Sequence, residues 1–74
     1  MNKQFLDRRV DGLRAELAHI TRLARHDQAM LSTAPREHVD AWTESLRCRD
    51  VQREKCVARL YRALEESVAA DKEA

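Results

Sequence analysis

Residues 6–31 read LDRRVDGLRAELAHITRLARHDQAML, and their apolar side chains recur at alternating intervals of four and three. Spacings of three and four place side chains on one face of an α-helix, so this stretch predicts a long amphipathic helix. Asp27 is the one polar residue on the stripe. The stripe consists of Leu6, Val10, Leu13, Leu17, Ile20, Ala24, Asp27 and Leu31.

A second apolar stripe follows Pro35, the only proline of the chain. We therefore predict a helix over 3–31, a turn over 32–35, a second helix over 35–70 and a frayed tail over 71–74. The fold class is all-α, a two-helix antiparallel hairpin of coiled-coil type forming one domain. The second stripe consists of Val39, Trp42, Leu46, Val57, Leu60, Leu64 and Val68, and five of these, Trp42, Leu46, Val57, Leu60 and Leu64, are predicted as hairpin core.

The connection between the helices sets which residues face each other. A short connection makes two helices antiparallel neighbours, and reversal at the predicted turn pairs residues whose numbers add to about 67 or 68. Leu6 is then expected near Leu60 or Tyr61, and Trp42 is expected to cover Ala24. Ser32 and Thr33 are suitable N-cap residues for the second helix.

Size limits what such a hairpin can bury. The chain has 74 residues, of which 43% are hydrophobic and 36% are charged. Two helices cannot enclose a core, and small folds of this kind usually need a disulfide, a metal or a partner. We therefore expect some apolar surface to bind another chain, either as a homodimeric four-helix bundle or as a groove for a partner's helix.

A second apolar seam beside the main stripes is the predicted contact site for that chain. Large and small residues alternate along it, which favours close approach of a further helix. The longer second helix is also expected to overhang the first. The predicted partner or dimer interface consists of Phe5, Leu23, Met30, Cys56, Ala63, Leu64 and Val68.

A polar break interrupts the stripe of the second helix at Arg49, Asp50 and Arg53. Glu16 flanks the first stripe at the matching height, so we predict a Glu16–Arg49 or Glu16–Arg53 pair. Such a pair contributes little net stability but can set the register of two helices. The alternative is that these arginines recognise an anionic ligand.

The middle of the second helix is basic, which leaves nucleic-acid binding as the alternative function. Against it, the net charge of the chain is only +1, and no exposed aromatic side chains for base stacking are expected. The solvated-face interpretation, with local ion pairs, is favoured. The basic residues are Arg47, Arg49, Arg53, Lys55, Arg59 and Arg62.

No motif indicates catalysis, a cofactor or a metal. The chain lacks a Gly-rich phosphate loop, an HExxH pair and a CxxC pair. His19 and His26 are about 10 Å apart by helical rise, too far to share an ion. Cys48 and Cys56 are about 12 Å apart by the same rise, too far for a disulfide. From the missing motifs we expect a non-enzymatic protein. We also expect it to be cytoplasmic, since no apolar run approaches the roughly 20 residues that span a membrane.

In helix length and turn position the chain is similar to several groups of small helical hairpins. These are the plasmid copy-number hairpins that bind RNA and dimerise into four-helix bundles, the small co-chaperones of type III secretion needles, and phage-encoded inhibitors of host proteins. The resemblance is limited to this coarse level and assigns no individual residue. From the apolar surface we expect a binding role, as an adaptor, inhibitor or co-chaperone.

Overall fold

Two long helices pack side by side in the computed structural model, which describes residues 3–73. Helix α1 spans Lys3–Thr33, a short 3-10 helix spans Arg36–His38, and helix α2 spans Val39–Glu73. The hairpin measures 58 × 14 × 12 Å. The prediction of an all-α fold with two helices packed against each other is confirmed.

The connection begins later than the sequence predicted. Helix α1 continues two residues beyond its predicted end and stops at Thr33. It stops there because Ala34 precedes proline and is therefore disfavoured from helical geometry. The hydroxyl of Ser32 donates to the carbonyl of Gln28, 2.9 Å away, and does not cap α2. The amide of His38 donates to the carbonyl of Pro35 at 2.8 Å and closes the 3-10 turn. The reversal of the chain therefore lies about two to three residues beyond the predicted turn.

Helix α2 also ends later than predicted. It continues to Glu73, three residues beyond the expected end at Ala70, so the predicted frayed tail is helical through residue 73. Asp71 forms an ion pair with Lys3 at the start of α1, which ties this end to the hairpin and raises the pKa of Lys3 through their hydrogen bond. The last residue of the predicted tail, Ala74, lies outside the described residues.

The core is built from large residues of α1 and small residues of α2. Leu6, Leu13 and Ile20 are buried on α1, whereas Cys56 and Ala63 are fully buried on α2. Small side chains let the helices approach closely, and the large side chains of α1 fill the space between them. The residues predicted as the core of α2 are therefore only half-buried beside the contact line: Trp42, Leu46, Val57, Leu60 and Leu64.

The register differs from the predicted one by one to two helical turns. Ser67 bonds Asp7, and Arg59 bonds Glu16, so these residue numbers add to 74 and 75 where about 67 or 68 was expected. The later turn accounts for part of this shift. The remainder follows because each long side chain leans toward the N-terminus of its own helix, and those directions are opposite in a hairpin.

Candidate interaction surface

The most exposed apolar side chains of α2 lie along one edge of the helix. Tyr61 is 64% exposed and Val68 is 52% exposed. Together with the half-buried Leu64, they line one depression whose rim carries Glu65 and Lys72. Val57 continues the same line toward the middle of the chain, since intervals of four, three and four keep one helical face. We call Val57, Tyr61, Leu64 and Val68 the α2 edge.

The predicted partner seam does not exist as one surface. Cys56 and Ala63 are enclosed within the hairpin, where the thiol of Cys56 lies 3.5 Å from the carbonyl oxygen of Leu13. They cannot contact a partner while the hairpin is folded. The prediction that the larger apolar residues of α2 form its inner face is therefore wrong.

The remaining members of the predicted seam occupy separate positions. Phe5 is 58% exposed near the free end of the hairpin, and Met30 is exposed near the turn. Leu23 is half-buried and lines a groove with Glu16 and Arg59. Leu64 and Val68 do lie on an open apolar depression at the free end of α2. Their role in binding remains a prediction.

The charged residues of the predicted pairs form ion pairs, but with partners other than those predicted. Glu16 pairs with Arg59 at 3.3 Å, so the prediction of a Glu16–Arg49 or Glu16–Arg53 pair is wrong. Arg53 pairs with Asp50 on its own helix at 3.4 Å. The physical reason is the register, which moves the arginines at 49 and 53 nearer the turn than Glu16.

Arg49 instead belongs to a polar cluster around Asp27, a residue that is only 3% exposed. The hydroxyl of Ser45 donates to Asp27 Oδ2 at 2.7 Å, and Arg49 Nε lies 3.4 Å from the same oxygen as an ion pair without hydrogen-bond geometry. The Ser45 hydrogen bond is the main reason that the pKa of Asp27 is lowered, with His26 and Arg49 adding to it and burial opposing. The ring of His26 meets that of Trp42 edge-on at 6.0 Å.

This cluster joins the two helices and was missed as a unit by the sequence analysis. Its available signals were the polar interruption at Asp27 and the polar break that contains Arg49. A buried carboxylate requires hydrogen bonds and a nearby positive charge, and this one receives both from α2. Asp27 is buried from solvent, and its contacts with Ser45 and Arg49 hold the two helices together.

The basic middle of α2 is largely neutralised within the chain. Arg47 forms two hydrogen bonds with Glu44, the shorter at 2.7 Å, and this contact lowers the pKa of Glu44. Arg49, Arg53 and Arg59 have the carboxylate partners described above. The expectation that aromatic side chains are covered is wrong, because Tyr61 is largely exposed.

A separate row of arginines lies on α1. Arg14, Arg22 and Arg25 line a shallow depression whose floor includes Leu17 and Ala18. Within residues 3–73, these three guanidinium groups have no carboxylate within ion-pair distance. We call Arg14, Arg22 and Arg25 the α1 arginine row. This row was not predicted, although its spacing of eight and three residues is a signal in the sequence.

The cysteines and histidines form no further site. Cys48 is exposed, and Cys56 is buried with the pKa of its thiol raised by burial. Across the described residues, no three side chains of His, Cys, Asp or Glu come together in a way that would hold a metal ion. Likewise, neither helix over residues 3–73 is long and apolar enough to span a membrane. No known protein family, no curated protein and no solved structure matches the chain.

Proposed function

We propose that this chain is a small, non-enzymatic interaction module that binds another protein chain through the α2 edge. The observation that carries the proposal is the division of α2 between two faces. Its small residues, Cys56 and Ala63, are buried against α1. Its large apolar residues lie beside that contact and are half-buried or exposed. A row of exposed apolar side chains such as Tyr61 and Val68 is typical of a surface that binds a partner.

The pattern of the edge favours a helical partner. Its side chains recur at intervals of four, three and four, as helix-binding faces do in bundles and coiled coils. Fully burying each such side chain contributes roughly 1.5–3 kcal/mol relative to leaving it exposed. Tyr61 adds a hydroxyl that can hydrogen-bond at the rim of the contact, which is why tyrosine is enriched at interfaces.

The partner takes one of two forms in this proposal, a second copy that completes a four-helix bundle or a helix of a different cytoplasmic protein. The fold does not depend on a disulfide between its two cysteines, so it is compatible with the proposed cytoplasmic setting. The non-enzymatic part of the proposal is supported by shape. A hairpin 14 × 12 Å in cross-section offers shallow helix flanks in place of a pocket that encloses a substrate.

Nucleic-acid binding by the basic middle of α2 is the weaker proposal. Arg47, Arg49, Arg53 and Arg59 already have carboxylate partners, so binding phosphates there requires breaking ion pairs. Phosphate contacts also give affinity that falls steeply with salt, whereas an apolar helix contact responds weakly.

The test is site-specific photocrosslinking in cells, with benzoylphenylalanine in place of Tyr61. The matched control places the same group at Arg62, which is also exposed but points about 100° away around the helix. The proposal expects a protein adduct at position 61 that is insensitive to nuclease, and little adduct at position 62. Equal labelling at both positions, no protein adduct at 61, or an adduct destroyed by nuclease would each contradict it.

A further inference from the structure

The chain exposes more surface than a compact monomer of its mass. Its accessible surface is 5742 Å², and its mass is 8.6 kDa. Compact monomers of that mass expose about 4,700 Å² by the usual scaling with mass, which leaves a surplus of roughly 1,000 Å². A standard stable interface removes about 800 Å² from each partner. The surplus is therefore sufficient for one interface of ordinary size.

The α1 arginine row and the α2 edge lie on the same side of the hairpin. Arg25 of α1 and Asp50 of α2 line one depression that spans both helices, together with Leu46. Position 50 continues the α2 edge toward the turn, seven residues before Val57 and therefore on the same helical face. This side thus carries unpaired positive charge on α1. On α2 it carries apolar and acidic residues, together with Arg53, whose charge is paired with Asp50.

The two halves of this side complement each other. The α1 arginine row has three unpaired guanidinium groups, and on the neighbouring flank of α2 Glu54 has no cationic partner among the described residues. Asp50 has only the exposed contact with Arg53. A surface whose two halves are opposite in charge fits a second copy of itself rotated about a two-fold axis.

We propose that the partner of this side is a second copy of the chain, placed so that α1 of each copy covers the α2 edge of the other. The inference rests on the proposed function and names its partner. A two-fold axis along the hairpin brings α1 against α2 of the other copy with both turns at the same end. In the reverse orientation α1 meets α1, and the two arginine rows repel each other.

The register within the hairpin carries over to this contact, because the two-fold axis preserves height along the helices. Cross-helix side-chain pairs such as Glu16–Arg59 have numbers that add to between 74 and 76. By the same rule, Arg22 of one copy lies level with Glu54 of the other, and Arg25 with Asp50. Arg14 lies level with Tyr61, where a guanidinium can stack on the phenol ring.

Complementary charge reversal tests the pairing. Sedimentation equilibrium of the unaltered chain is expected to give a dimer. Arg22→Glu alone and Glu54→Arg alone are each expected to weaken the dimer about tenfold, because each homodimer then contains two like-charge contacts. An equimolar mixture of the two variants is expected to form the heterodimer preferentially in native mass spectrometry. Arg62→Glu, an exposed change off this side, serves as the control and is expected to leave the dimer intact.

Spin labels at the turn test the orientation. In a Cys48→Ser background, a label at Arg36→Cys is expected to report an intermolecular distance below about 25 Å, since one helix-layer spacing of about 8–10 Å separates the two turns. A distance close to the 58 Å length of the hairpin would overturn the arrangement. A chain that stays monomeric at millimolar concentration would overturn the second copy as partner. A foreign protein crosslinked at position 61 would then still support the proposed function.

Discussion

The hydroxyl of Ser45 on α2 donates a 2.7 Å hydrogen bond to the carboxylate of Asp27 on α1. It joins the helices near the turn, at the one place where α1 buries a charge. A carboxylate in this position is stable only with partners that compensate for lost hydration, and Ser45 and Arg49 supply them. The pair therefore favours one alignment of the two helices over slipped alternatives.

Acid should weaken the fold through Asp27. Because folding lowers the pKa of this carboxyl from its ordinary value of 3.8, its stabilisation is present above that value and is lost as pH falls through the lowered value. Urea unfolding of the unaltered chain should show a falling midpoint below about pH 4. Asp27→Asn should be less stable at pH 7 and should show a smaller decline in acid. Asp40→Asn, an exposed change away from this cluster, is the matched control and should change stability at pH 7 by less than about 0.5 kcal/mol.

Enlarging a small core residue of α2 should separate the helices. Ala63→Met places a long side chain where Ala63 is fully buried, and overpacking of this kind costs about 1–3 kcal/mol in the free energy of unfolding. Ala58→Met, on the exposed side of the same helix, should change it by less than about 0.5 kcal/mol. Thermal unfolding followed by circular dichroism measures both. Equal losses would mean that Ala63 does not face α1.

The two cysteines should differ in reactivity. Cys48 is exposed and should react with a thiol reagent in the folded protein, whereas Cys56 is buried and the pKa of its thiol is raised. Titration should therefore detect one fast thiol in buffer and a second only in denaturant. Cys48→Ser should remove the fast phase, and Cys56→Ser should remove the slow one. Two fast thiols in the unaltered chain would show that Cys56 is accessible.

The observed register can be tested through the Glu16–Arg59 pair. Glu16→Arg should lower stability, and adding Arg59→Glu should restore it, with a coupling energy of about 0.2–1 kcal/mol for an exposed pair. Adding Arg53→Glu to Glu16→Arg is the matched control and should not restore stability, because Arg53 lies against Asp50. Rescue by position 53 and not by position 59 would support the register predicted from the sequence.

Gly12 should be replaceable with a gain in stability. A Cβ atom at this position would meet nothing within 4 Å, so alanine adds no clash. Replacing a helical glycine by alanine stabilises by about 1 kcal/mol, because less backbone entropy is lost on folding. Gly12→Ala should raise the unfolding midpoint, and the exposed change Ala15→Gly should lower it by a similar amount. A loss of stability in Gly12→Ala would indicate a neighbour at this position.

Sequence reasoning succeeded best on α1 and less well on α2. The α1 stripe of Leu6, Val10, Leu13 and Ile20 is buried as its spacing predicted. On α2, two adjacent columns were both plausible inner faces, and the column with the larger residues was chosen. The structure places Cys56 and Ala63 inward instead. Composition could not decide this, because the volume that α2 must present depends on the side chains of α1.

By itself, the sequence determined that the chain forms two helices with a turn near its only proline. Those features depend on residues a few positions apart: apolar spacing, the restriction that Pro35 places on Ala34, and hydrogen bonds along each helix. Tertiary structure alone decided the register, the inner face of α2, and the partners of Asp27, Glu16 and Arg49. These depend on how side chains far apart in the chain pack together and pair their charges. A pattern of residues a few positions apart does not specify those contacts.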